Sequence, residues 1–136
     1  MSGGAEARPG VTGETVDAFK GRTSGQGGDP AARLAAVNRI NYVLEQYVRA
    51  LVNGDAETIG NYRASLSSEE SALMRARQLK VRLDELRVEV DGTEAVARCR
   101  RRLEGTSATG TRIQEDGQVT FHLTRKPAGW VITDVK

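Results

Sequence analysis

The sequence predicts an α+β domain, three N-terminal helices packed in the concave face of a curved antiparallel sheet, and three observations carry that prediction. Apolar residues recur at spacings of three and four from Leu34 to Met74, and at spacings of two from Leu79 onward. The alternation then changes parity within the first strand: Leu79, Val81 and Leu83 are odd, whereas Leu86, Val88 and Val90 are even. A regular strand cannot move its apolar set from one face to the other, so an extra residue at Asp84-Glu85 is expected to form a β-bulge and bend the strand. Turn chemistry at Asp91-Gly92 and in "TRKPAG" divides the second half into hairpins. A run of helices followed by a run of strands places the helices on one side of the sheet.

The chain of 136 residues is long enough for one self-sufficient core, and it divides into a tail (1 to 29) and a domain (30 to 136). Residues 1 to 28 hold eight of the fifteen glycines and few sizeable apolar residues, so burial there cannot offset the entropy of ordering. The expectation is a flexible tail or linker, whose "TVDAFK" stretch (15 to 20) is the part able to engage a protein partner.

Asp29 as N-cap and Pro30 at the first helical position open the long helix. Leu34, Val37, Ile40, Leu44, Tyr47, Val48 and Leu51 mark its apolar face, and Gly54 ends it. Asp55 caps a short second helix over "AETIGNYR", with Ile59 and Tyr62 on one face. Ser67 and Glu70 form a capping box for a third helix that carries Leu73 and Met74. The strand from Leu79 to Val90 turns at Asp91-Gly92 and returns over 94 to 104. With that turn Val88 faces Ala95 and Leu86 faces Ala97; beyond the bulge, Leu83 faces Cys99 and Leu79 faces Leu103. After a connection over 105 to 110, "QVTFHL" and "WVITDV" make a second hairpin.

Four arginines, Arg98, Arg100, Arg101 and Arg102, crowd the second strand. Arg98, Arg100 and Arg102 share the polar face with Arg82, Arg87, Glu85, Glu89 and Glu94. Residues 79 to 104 hold seven basic and six acidic side chains, so cross-strand ion pairing explains them without a nucleic acid, whose aromatic stacking platforms are also missing. Arg101 instead falls on the apolar face, beside Val81. Either it grips a carboxylate or phosphate at the mouth of a cavity, or the strand end leaves the core and the side chain reaches out to water. His122 alternates with Phe121 and Leu123 and belongs to the polar face with Thr120 and Thr124. Cys99 packs as a small apolar residue, and Tyr47 fills the core with its hydroxyl directed to a cavity.

A net charge of +2 is too small to name a partner. One cysteine and one histidine supply neither a disulfide nor a zinc set, and no cofactor motif, Ser-His-Asp set or glycine-rich phosphate loop is written in the sequence. No apolar run is long enough to span a membrane, so a cytoplasmic location is the default expectation.

The segments "INYVLEQYVRALVNGDAETI" (40 to 59), "LSSEE", "AVARCRRR" and "GWVITDV" together resemble the nuclear-transport-factor-2-like superfamily, whose cone-shaped, cystatin-like fold is shared with SnoaL-like and ketosteroid-isomerase-like proteins. The likeness runs from about residue 30 to 136 and rests most on Tyr47, Ala50, Leu51, Gly54, Asp55, Gly129 and Trp130. More narrowly, the chain looks like small domains of this type at the C-termini of bacterial serine/threonine kinases. The resemblance implies a homodimer through the outer sheet face, with Arg98, Arg100, Arg102, Thr120 and His122 facing a partner or solvent. It also implies a pocket approached by Tyr47, Leu83, Cys99, Arg101, Phe121 and Trp130, with Asp84 beside Arg101. The acid and base residues of the isomerase-like members have no counterparts here, and the Arg-between-Asp arrangement of the epoxide-hydrolase-like members is matched in part only, by Arg101 with Asp84. The reading is a non-catalytic homodimeric sensory, ligand-binding or assembly module of a bacterial signalling protein; the alternative is a small-molecule isomerase, cyclase or hydrolase working in the cone.

Overall fold

The computed structural model describes residues 29–136; the expected docking stretch "TVDAFK" lies outside them. Helix α1 spans Pro30–Asn53, α2 Ala56–Ile59 and α3 Ser68–Met74, and four strands follow: β1 Arg77–Asp91, β2 Glu94–Thr106, β3 Arg112–Lys126 and β4 Gly129–Val135. The strands form one antiparallel sheet in the order β1-β2-β3-β4. The predicted α+β architecture is therefore the observed one.

The helix boundaries follow from local chemistry. The Asp29 carboxylate accepts from the Ala31 amide at 3.1 Å, and Pro30 sits where a helix leaves its N–H groups unbonded anyway. Gly54 closes α1 in the left-handed conformation at φ +64°, its amide bonded back to Ala50 and Leu51. It also lies so close to α3 that a Cβ would stand 2.9 Å from the Met74 carbonyl oxygen. The second helix is shorter than expected, because the chain after Gly60 bends to lay Tyr62–Ala64 against β4. The Ile132 amide donates to Tyr62, and the Ala64 amide donates to Ile132.

The bulge expected at Asp84-Glu85 is present: the β1–β2 ladder slips between Asp84 and Arg87, and Glu85 takes φ +57°. A second slip lies between Arg77 and Lys80, where Gln78 has φ +54°. Gly105 passes over it closely enough that a Cβ would meet the Leu79 Cα at 3.0 Å. The hairpin register differs from expectation by two residues. Asp91 joins the ladder opposite Glu94 and the turn is Gly92-Thr93, so Val88 faces Ala97, Leu83 faces Arg101 and Val81 faces Leu103. Glycine takes the first turn position, where the backbone has φ +64°. A slip of two residues preserves the faces, so the expected core face survives the correction. Strand β3 also begins earlier than expected, at Arg112, and its first half is largely exposed beyond the helices.

The core lies between α1 and the inner sheet face. Ile40, Val43, Leu44, Tyr47, Ala50 and Leu51 of α1 meet Ala95, Ala97, Cys99 and Leu103 of β2, Phe121 and Leu123 of β3, and Trp130 and Ile132 of β4. Burial of these apolar side chains, about 1.5–3 kcal/mol for each large one, is the main force holding the layers together. Leu34, expected on the buried face of α1, is 61% exposed, since burial along this helix begins with Ile40.

Candidate functional site

The buried polar chemistry converges where α1, α3 and β4 meet. Tyr47 sits mid-way along α1 on the core face, its ring edge-on to Phe121 with centroids 5.8 Å apart. Its hydroxyl donates to Glu70 Oε2 at 2.5 Å. Glu70, in the first turn of α3, is held by a reciprocal capping box: its amide donates to Ser67 Oγ at 3.1 Å, and its Oε1 accepts from the Ser67 amide at 2.9 Å. Arg63 completes the group, donating from Nε to Oε2 and from NH2 to Oε1, both at 2.9 Å, and from NH1 to the Ile132 carbonyl at 3.3 Å. Arg63 is 6% exposed and Glu70 2% exposed, so this is a buried ion pair with its lone pairs and donors engaged.

Electrostatics follow from that geometry. Burial by itself would raise the Glu70 pKa, but hydrogen bonds from Arg63, Tyr47 and the Ser67 amide outweigh it and hold the carboxyl below its ordinary value. Burial, then the hydrogen bond to Glu70 and its negative charge, pushes the Tyr47 phenol well above its ordinary value. A protonated phenol donating to an ionised carboxylate is the stable arrangement. Neither group is poised to exchange a proton near neutral pH.

The residues expected around a pocket are distributed differently. Tyr47, Cys99, Phe121 and Trp130 are each 5% exposed or less and pack in the core, with Leu83 half-buried beside it. The Cys99 thiol is pushed up to about 11 by burial, with Arg101 opposing the rise, which leaves it protonated and unreactive. Arg101 does lie on the inner face, opposite Leu83 of β1 and Gly117 of β3, with only 11% of its side chain exposed. Asp84, expected beside it, instead faces Arg100 across the ladder. Its carboxylate lies 3.1 Å from Arg82 and 3.9 Å from Arg102, because the bulge that carries Leu83 and Leu86 inward turns Asp84 to the outer face. The Arg101–Asp84 pairing is thus not formed.

The outer face carries Arg98, Arg100 and Arg102, and each has a carboxylate partner. Arg100 grips Asp116 in bidentate fashion at 2.7 and 2.9 Å, Arg98 meets Glu89 at 3.1 Å, and Arg102 stands 3.7 Å from Asp116. Thr120 lies opposite Arg98 and His122 opposite Val96 in the same layer.

Sequence reasoning found Tyr47 and the capping box but missed that Glu70 is buried against Arg63. The available signal was spacing: Glu70 stands three residues before Leu73 and shares its inward face, where a carboxylate requires a cation. Arg63 ends the expected second helix four residues after Ile59, a spacing that sets it beside the Ile59–Tyr62 face, but nothing local named its carboxylate partner.

No family model matches the chain, and no curated protein matches it in sequence. Solved structures do. A nuclear-transport-factor-2-like superfamily protein from Salmonella enterica superposes with a TM-score of 0.65 at 16% identity, over 76% of this chain and 89% of that one. An NTF2-like protein with a cystatin-like fold from Novosphingobium aromaticivorans covers 89% of both chains with a TM-score of 0.59 at 17% identity. This chain has the nuclear-transport-factor-2-like fold. The association domain of C. elegans CaMKII shares it too, with a TM-score of 0.54 at 14% identity over 78% of this chain and 94% of that one. Within this NTF2-like fold, no described helix is long and apolar enough to cross a membrane.

Proposed function

We propose that this NTF2-like domain is a non-catalytic assembly module that forms a homodimer through the outer face of its sheet. The observation that carries the reading is the division of its polar groups. The interior carboxylate, phenol and guanidinium are engaged with one another, whereas Arg98, Arg100 and Arg102 of the outer face pair with carboxylates in the plane of the sheet. In-plane pairing offsets much of the charge of Arg98, Arg100 and Arg102, so two copies can meet around half-buried Val96, Thr120 and His122. Among the described residues, the helices pack on the inner face. The shared fold of an association domain supports the same reading. So does the resemblance to domains at the C-termini of bacterial kinases, which makes a signalling protein the expected setting. The isomerase, cyclase or hydrolase alternative would use Arg101 to bind an anion and Asp84 or Tyr47 to carry a proton; Asp84 lies away from Arg101, and the Tyr47 hydroxyl is engaged with Glu70.

The test is substitution at the centre of the face. Light scattering on Val96→Asp and on His122→Asp should show monomers with unchanged circular dichroism, because each dimer would then bury uncompensated charges across a two-fold axis. Variants that keep the parent's association would remove the outer face from consideration.

A further inference from the structure

Arg101 is partly buried on the inner sheet face and stands outside the hydrogen-bonded Tyr47–Glu70–Arg63 group, with 11% of its side chain exposed. Its contacts among the described residues are two long ion pairs from NH2, 3.6 Å to Glu69 Oε2 and 3.9 Å to Glu115 Oε1. Both exceed hydrogen-bond reach, and both glutamates are 56% exposed at the rim. A guanidinium offers five N–H donors in a planar fork, and a fork so withdrawn from water is ordinarily filled. Arg63, which is more deeply buried, shows the filled case: its donors meet a carboxylate and a carbonyl.

The surroundings define what would fill it. Leu83 lies across the ladder on one side, and Cys99 and Leu103, two residues away along β2, are buried apolar neighbours. On the other side the solvent-exposed Gly117 has no side chain, and a Cβ there would meet nothing within 4 Å, so an apolar body placed there would lie in an open surface recess. One cationic fork therefore stands between apolar surface and open space, with two carboxylates at the edge.

We propose that Arg101 anchors a binding site for a small organic monocarboxylate with an apolar body. The carboxylate would take the fork in bidentate geometry, displacing the loosely held Glu69 and Glu115, while the body covers Leu83 and fills the space at Gly117. The rim carboxylates select against doubly charged phosphate. This site is independent of the homodimer reading and stands or falls separately.

The test is an NMR titration of the full-length, nitrogen-labelled chain with phenylacetate, phenylacetamide and inorganic phosphate. Phenylacetate should shift the Arg101 Nε–H and Gly117 amide signals saturably. The amide and phosphate should bind at least about tenfold more weakly, as expected when a bidentate charge-assisted contact is lost. Arg101→Gln should weaken phenylacetate by at least the same factor. Gly117→Val, which keeps the arginine but occupies the open space, should do so too, so the idea stays testable if one variant folds poorly. Absence of a saturable shift at millimolar phenylacetate would overturn the proposal. Equal binding of the amide or phosphate, or undiminished binding by either variant, would overturn it as well.

Discussion

Glu70 is ionised in the folded state and almost out of water, which makes it the residue on which stability is most sharply conditional. Its folded pKa is depressed, so its contribution is complete above the ordinary carboxylate value of about 4.3 and is lost as pH falls through the folded value below that. Tyr47→Phe removes one hydrogen bond to a charged acceptor, at a cost of about 1.5–3 kcal/mol, and lets the Glu70 pKa rise. The variant should therefore unfold at a higher pH than the parent in an acid titration followed by fluorescence of Trp130; an unchanged acid midpoint would mean the phenol does not stabilise the carboxylate. Glu70→Leu alone should cost about 3–5 kcal/mol, because it strands the Arg63 charge, while Arg63→Leu with Glu70→Leu should recover part of that loss. Urea unfolding of the two variants checks the order. At this scale the sequence was legible where local rules apply, as in the Ser67–Glu70 box, and illegible where partners come from separate segments. The Tyr47–Glu70 bond spans 23 positions, and no local pattern encodes it.

Helix ends and bulges decide where these side chains stand. Gly54 combines φ +64° with the close approach to Met74, so Gly54→Ala meets both backbone strain and a steric contact. A loss of about 2 kcal/mol or more is expected in chemical denaturation. Glu85 occupies a left-handed bulge position without being glycine. Glu85→Gly should therefore stay within about 0.5 kcal/mol of the parent, whereas Glu85→Val should cost about 1–2 kcal/mol. Equal stabilities for the two variants would show that the strain is not there. The bulge at Glu85 was readable because three apolar residues on each side change parity across it. The one at Gln78 was not, since no alternating residues precede it on β1. The early part of β3 was missed for a related reason: Ile113, Glu115 and Gly117 share its inner face, and a strand whose inner face is half polar lacks the alternation that announces strands. Leu34 shows the converse, a helical apolar position with no sheet beneath it.

At the scale of the described domain, helices pack on one sheet face and the other carries the cross-strand ion pairs of Arg98, Arg100 and Arg102. The fold class followed from the order and periods of the elements, and the cone-like architecture from the bulge. The pairing of Arg100 with Asp116 joins β2 to β3, whose register no turn signal in the 107–111 connection announced. That exposed pairing is screened by salt, so Asp116→Asn should alter stability little in the isolated chain while changing the charge balance that two apposed faces require. The most direct measurement is sedimentation equilibrium of the wild-type chain across a wide concentration range. The account predicts a mass twice that of the 14.7 kDa chain, falling toward one chain only on dilution. A single-chain mass at every concentration would contradict the assembly reading and leave the outer face a solvated surface.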